Sequence, residues 1–203
     1  MQVDVDNAGS VAAFFEALDN AAIVADRLVN CAGVNRRERA FDVSAENWST
    51  ILNVNLLGTF QLSRAFASRL IAAHRPGRIV NITSMLSHYG APGMASYTAS
   101  KGGVMALTRT LAVEWAPYGI RVNAVSPGYI MTPLTAKLLA PGTFADEVRA
   151  RTPIGRVGTV DDIAPVICFF LSDDAGFVTG QILPVDGGIT AGDARLGPHD
   201  IRP

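Results

Sequence analysis

Residues 78–101, RIVNITSMLSHYGAPGMASYTASK, pass from a short apolar run through a glycine-containing loop into a helical pattern. The first six, RIVNIT, carry Ile79, Val80 and Ile82, the β-branched enrichment of a buried parallel strand. A strand followed at once by a helix is half of a βαβ unit. Working outward, the same alternation recurs. Strands are expected near 2–5 (QVDV), 27–30 (RLVN), 120–125 (IRVNAV) and 181–185 (QILPV), with helices near 9–22, 45–73, 96–116 and 160–172. The whole therefore reads as an α/β protein, a doubly wound parallel sheet with helices on both faces.

The helix near 160 opens with TVDD, a threonine followed three residues later by an acid that can cap the first turn. Residues 127–156, rich in Pro, Gly and Thr, are too long for an ordinary connection and are expected to form a substrate lid. One domain is expected over 1–188, with 189–203 a mobile C-terminal tail.

Composition narrows the function classes. With 17 Lys and Arg against 18 Asp and Glu, and no basic block, a phosphate-backbone partner is not expected. The most apolar stretches are broken by acids well before the roughly 20 residues a bilayer span needs. The N-terminus shows no leader pattern, so a cytoplasmic location is expected. Cys31 and Cys168 are far apart and read as buried thiols, and His74, His88 and His199 are isolated, so no metal site is assigned.

Tyr97 and Lys101 stand four apart, which places both on one face of a helix. A tyrosine titrates near 10. To act as a base near neutrality it needs help worth roughly 3 to 4 kcal/mol, and a nearby ammonium supplies that sign of shift. Alone, the spacing is equally that of an amphipathic residue beside a snorkelling lysine. Ser84 adds weight, because it ends an apolar strand, where ligands of doubly wound sheets sit.

With these motifs in hand, residues 1–188 resemble the short-chain dehydrogenase/reductase family. NCAG at 30–33 looks like the family's N-N-A-G segment with Cys31 replacing an Asn, and NVNLLG at 53–58 like the segment carrying its catalytic asparagine. SPGYIMT at 126–132 is similar to the P-G motif before the lid, and VDV at 3–5 to the segment that meets the adenine. The resemblance implies NAD or NADP as cofactor and a catalytic set of Asn55, Ser84, Tyr97 and Lys101. Tyr97 would be the acid/base, Lys101 its tuner and ribose ligand, Ser84 the holder of the substrate oxygen, and Asn55 the holder of a water leading to Lys101. Cofactor contacts would fall on Asp4, Val5, Asn30, Ala32, Gly33, Tyr97, Lys101, Pro127, Gly128, Ile130 and Thr132. Three of these have plainer readings: Asn55 as a helix-kink residue, Thr132 as the N-cap before Pro133, and Asp4 as a turn former.

The family's opening strand, T-G-x-x-x-G-x-G turn and helix have no counterpart in these residues, so the Rossmann-like sheet is expected to be N-terminally truncated, without its first two strands and their helices. In the family order 3-2-1-4-5-6-7 that leaves a gap of about 14 Å beside residues 27–30, three strand spacings. Either 2–5 swings in to pair there, or an apolar edge stays open. The chain is then either part of a longer enzyme, Met1 being an internal methionine, or a truncated product; its intact catalytic set favours the first.

Among relatives, NRRERAFDVSAENW, SMLSHYG and GRVGTVDDI most resemble gluconate 5-dehydrogenase and 2-deoxy-gluconate 3-dehydrogenase types. The expected activity is interconversion of a secondary alcohol and a ketone on a sugar acid or polyol, with Arg36 and Arg37 as candidate carboxylate ligands. Alternatives are a 3-oxoacyl thioester reductase and a non-catalytic subunit. The resemblance implies a homo-oligomer, tetramer or dimer, built on the helices near 45–73 and 96–116.

Overall fold

The computed structural model describes residues 1–193; the remainder of the expected tail, with His199, lies outside the described residues. Helices α1 (Ala8–Asn20), α2 (Ala45–Leu52), α3 (Gly58–Ala72), α4 (Ala95–Trp115), α5 (Thr143–Arg151) and α6 (Val160–Leu171) alternate with strands β1 (Arg27–Asn30), β2 (Gly77–Ile82), β3 (Ile120–Pro127) and β4 (Ile182–Val185). The four strands form one parallel sheet in the order β1-β2-β3-β4, with Asn30 opposite Asn81 and Val125 opposite Leu183.

The pleat sorts the core. Ile79, Ile120 and Val122 face a layer made by α1, α3 and α4, where they meet Phe15, Phe66, Leu70 and Leu111. Val80 and Val125 face the other way, onto Ile163 and Phe170 of α6. The expected capping of α6 is present: Thr159 N–H donates to Asp162 Oδ2 at 2.7 Å, and Arg156 holds both oxygens of the same carboxylate at 2.7 Å.

Residues 2–5 do not form a strand. Local hydrogen bonds win over the alternating pattern: Asp4 N–H donates to Ser10 Oγ at 2.9 Å, Asn7 N–H donates to Asp4 O, and Asn7 Oδ1 caps α1 through Ser10 N–H. Val5 is nonetheless buried, lying where a Cβ at Gly58 would stand 2.7 Å from its Cγ2. Of the two outcomes expected for the sheet, the second holds. Among the described residues β1 pairs with β2 alone, and its other edge is open.

The expected helix over 45–73 is nearly continuous but contains a π-helical turn, Asn53–Leu57, between α2 and α3. Packing also continues past Gly188: Ile189 is 4% exposed and Thr190 Oγ1 donates to Asp186 Oδ2 at 2.6 Å. Residues 189 and 190 therefore belong to the packed body rather than to the expected tail.

Candidate active site

Parallel strands deliver their following loops to one end of the sheet, and the candidate residues collect there. Ser84 lies two residues beyond β2, extended, and its Oγ accepts from Leu86 N–H at 3.2 Å. That bond opens a single 3₁₀ turn, Met85–Ser87, and uses the hydroxyl oxygen as an acceptor, so its proton points elsewhere. Tyr97 and Lys101 occupy the first turns of α4, on one face as their spacing requires. Lys101 Nζ is 5.9 Å from the Tyr97 ring centre and donates to Ile82 O at the end of β2, 2.8 Å away.

Asn55 sits inside the π turn and is fully buried. Its Oδ1 accepts from Val34 N–H at 2.8 Å, while Nδ2 donates to Val34 O at 2.9 Å and to Ser100 Oγ at 3.0 Å. The side chain thus ties the loop after β1 to α4. The helix changes its winding at Asn55, and both amide protons of its side chain are used. Ser100, which no sequence motif singled out, relays this tie to Tyr97 by donating to Tyr97 O at 2.7 Å.

Below the site, Asn30 Nδ2 donates to Asn81 Oδ1 and Ser63 Oγ, each at 2.8 Å, and Asn81 donates to Thr108 Oγ1 at 2.9 Å. This buried chain fixes the ends of β1 and β2 against α3 and α4. Asn30 Oδ1 has no partner among the described residues.

Burial pushes the Tyr97 phenol above its ordinary 10.0, and a hydrogen bond with Ser84 works against that. The Lys101 ammonium meanwhile donates to the Ile82 carbonyl. Burial also lowers Lys101 itself, from 10.5 to about 8, with Cys31 opposing. Cys31 is exposed rather than buried, as is Cys168.

A cavity of about 360 Å³ opens beside these groups, walled by Ser84, Tyr97, Pro127, Gly128, Ile130 and Thr132. Apolar walls with a few polar handles suit a flat aromatic ring. A Cβ at Gly33 would lie 3.4 Å from Asn55 Oδ1 and 3.5 Å from Lys101 Nζ, so glycine keeps the approach to that lysine open. At Gly128 a Cβ would stand 2.7 Å from Asp186 Cα, and only glycine lets the loops after β3 and β4 close on each other. The residues present thus fit the nicotinamide end of a dinucleotide.

The other cofactor candidates divide. Val5, Asn30 and Ala32 line a smaller apolar groove of about 180 Å³ along the open edge of β1. Asp4 is exposed, and a hydrogen bond with it is the main cause of a raised pKa at Asp6, which supports the turn-former reading. Thr132 serves in two ways: it lines the cavity, and its O accepts from Thr135 and Ala136 N–H, capping a turn. Of the arginine pair, Arg36 donates to Asn47 Oδ1 at 2.6 Å on α2, and Arg37 stands 5.9 Å over the Phe144 ring of α5.

Polar side chains gathered at the carboxyl ends of a parallel sheet, beside an apolar slot, define an α/β protein of dinucleotide-binding type. The chain belongs to the short-chain dehydrogenase/reductase family. A family model described as enoyl-(acyl carrier protein) reductase matches residues 1–190. The chain is 44% identical over 163 residues to 2-dehydro-3-deoxy-D-gluconate 5-dehydrogenase of Escherichia coli, covering 80% of this chain and 64% of that one. It is 43% identical over 164 residues to the 3-oxoacyl-(acyl-carrier-protein) reductase of Thermotoga maritima, covering 81% and 65%. The match thus spans less than two thirds of these curated relatives. Among solved structures, a gluconate 5-dehydrogenase from Burkholderia cenocepacia in complex with NADP and tartrate superposes with a TM-score of 0.90 at 38% identity, over 93% of this chain and 74% of that one. A 4-hydroxyisoleucine dehydrogenase mutant complexed with NADH and succinate gives 0.92 at 33%, over 95% and 79%.

Proposed function

We propose that this protein is an NAD(P)-dependent oxidoreductase that interconverts a secondary alcohol and a ketone on a sugar acid or polyol. The observation that carries the reading is the meeting of Ser84, Tyr97, Lys101 and Asn55 at one mouth of the sheet, beside a cavity sized for a nicotinamide. Tyr97 gives its phenol proton to the carbonyl oxygen in reduction and, as the phenolate, takes the hydroxyl proton in oxidation. Ser84, whose proton lies beside the Tyr97 phenol, donates to the same substrate oxygen and lowers the cost of negative charge there. Lys101, its pKa lowered by burial, faces the ribose position through the gap left by Gly33. Asn55 and Ser100 hold the frame through buried amide and hydroxyl bonds. When bound, the nicotinamide supplies the hydride chemistry.

The gluconate-type relatives and neighbours support a sugar acid. The Thermotoga relative, at nearly equal identity, supports a 3-oxoacyl thioester as the second substrate class. A cytoplasmic homo-oligomer is part of the same proposal, and among the described residues no helix is long and apolar enough to cross a membrane.

Purified chain is titrated with NADH and NADPH by fluorescence, then assayed with gluconate plus NAD+ or NADP+ and with acetoacetyl thioester plus NADH or NADPH. Saturable dinucleotide binding, gluconate oxidation, and a loss of about 10² to 10⁴ in rate for Tyr97→Phe are expected. A folded chain that binds neither dinucleotide sinks the enzyme reading and leaves the subunit alternative, which co-purification with a longer relative then tests. Faster thioester reduction transfers the substrate to the second class.

A further inference from the structure

Beyond Tyr97, on the side away from the sheet, a second group of polar side chains takes no part in the chemistry above. Tyr89 lies on the loop between Ser84 and Tyr97 and packs on Met85, Leu86, Met94 and Ile189, the same apolar cluster that holds Tyr97 and Tyr129. Arg151, the last residue of α5, places its guanidinium carbon 4.9 Å over the Tyr89 ring. The lid helix thus brings a cation to the loop that carries the candidate serine.

Two features show that this pair is made for something other than each other. The Tyr89 hydroxyl is buried and has no hydrogen-bond partner among the described residues. Among the described residues Arg151 makes no ion pair, whereas its neighbours are spent: Arg149 on Asp146, and Arg156 on both oxygens of Asp162. The nearby carboxylate is spent too, since Asp186 accepts from Gly188 N–H, Thr190 N–H and Thr190 Oγ1. Burial, with Tyr129 and Asp186 alongside, raises the Tyr89 phenol despite Arg151, so it remains a proton donor.

An unpartnered phenol O–H and a planar guanidinium stacked on the same ring are neighbouring donors with no acceptor charge between them, which is the complement of a carboxylate. Resting on the sugar-acid reading above, we propose that Arg151 and Tyr89 form the subsite that receives the carboxylate of an acidic polyol substrate. Arg36 is turned to Asn47 and Arg37 is stacked on Phe144, so each already has a partner.

The test compares gluconate with its neutral counterpart sorbitol by calorimetry on the 203-residue chain, without and with saturating NADH. Wild type is expected to prefer gluconate. Arg151→Gln weakens gluconate about tenfold to a hundredfold and leaves sorbitol within about twofold. Arg151→Lys restores part of the loss, and Tyr89→Phe, which keeps the ring under the guanidinium, costs gluconate about three- to tenfold. Equal losses for the two ligands, unchanged gluconate affinity in both Arg151→Gln and Tyr89→Phe, or a folded wild type that binds no gluconate in either condition, each overturns the proposal. NADH affinity is read separately: if it is intact while the gluconate preference survives Arg151→Gln, the subsite fails and the oxidoreductase reading stands.

Discussion

Lys101 shows how a four-residue spacing becomes a pH-dependent property. It is 4% exposed, and its ammonium rests on one carbonyl oxygen, Ile82 O. Below about pH 8 both folded and unfolded chains carry its proton, and the burial penalty is present in full. Between 8 and 10.5 the unfolded chain binds more protons than the folded one, so stability rises with pH. Tyr97 acts in the opposite sense, but only from 10.0 upward, where an unfolded phenol begins to ionise. Urea unfolding of wild type and Lys101→Met over pH 8 to 10 is therefore expected to show wild type gaining on the variant by about 2–3 kcal/mol. Parallel pH profiles would mean that Lys101 is not desolvated. The pairing of Tyr97 with Lys101 was legible because helical geometry alone fixes i,i+4 neighbours. The acceptor of the ammonium was not, since Ile82 O reaches Lys101 only once β2 lies against α4. Tyr89 and Arg151 escaped notice for the same reason: 62 residues separate them, and neither stands in a periodic pattern.

Elements were legible where periodicity ran long and misread where it was short. The strands at 27–30, 78–83, 120–125 and 181–185 stand within a residue or two of the observed β1 to β4, because apolar runs between turn signals have few other folds. QVDV has the same alternation over only four residues, and Asn7 with Ser10 captured it as the capping turn of α1. The π turn left no sequence signal beyond Asn55 itself. Gly58, its C-terminal neighbour, gives that turn a measurable consequence. A methyl there would meet Val5 Cβ at 3.0 Å and Val5 O at 3.0 Å, and backbone gives way less readily than a side-chain tip. Gly58→Ala should expel the 3–5 segment from the core and cost about 1–3 kcal/mol despite the better helix propensity of alanine. Thermal melting gives the loss, and hydrogen exchange at Val3 to Asp6 gives its place. Greater stability in the variant would show that this segment is not wedged there.

At the scale of the whole molecule, the sheet is finished on one side by β4 and the Pro184 it carries, while β1 presents a bare row of backbone donors and acceptors. Only four residues long, β1 is half solvent-facing; Val29 is 38% exposed, and Val3, Val54 and Leu62 line the apolar groove beside it. Parallel sheets ordinarily bury both faces, so such an edge is a template for another strand. The molecule as described should therefore self-associate with rising concentration, and the contact should run along β1 rather than across the helices. Val29→Lys sets a charge on that edge without touching the Asn30–Asn81 bond or the register below it. Sedimentation velocity is expected to show the concentration-dependent species of wild type shifting toward monomer in Val29→Lys, with the melting temperature little changed. Identical sedimentation of the two proteins would move the contact to α3 and α4, the helices on which a family-type oligomer is expected to assemble. A second pair of substitutions on those exposed helix faces, Arg64→Ala and Val113→Asp, would then disperse the assembly where Val29→Lys did not.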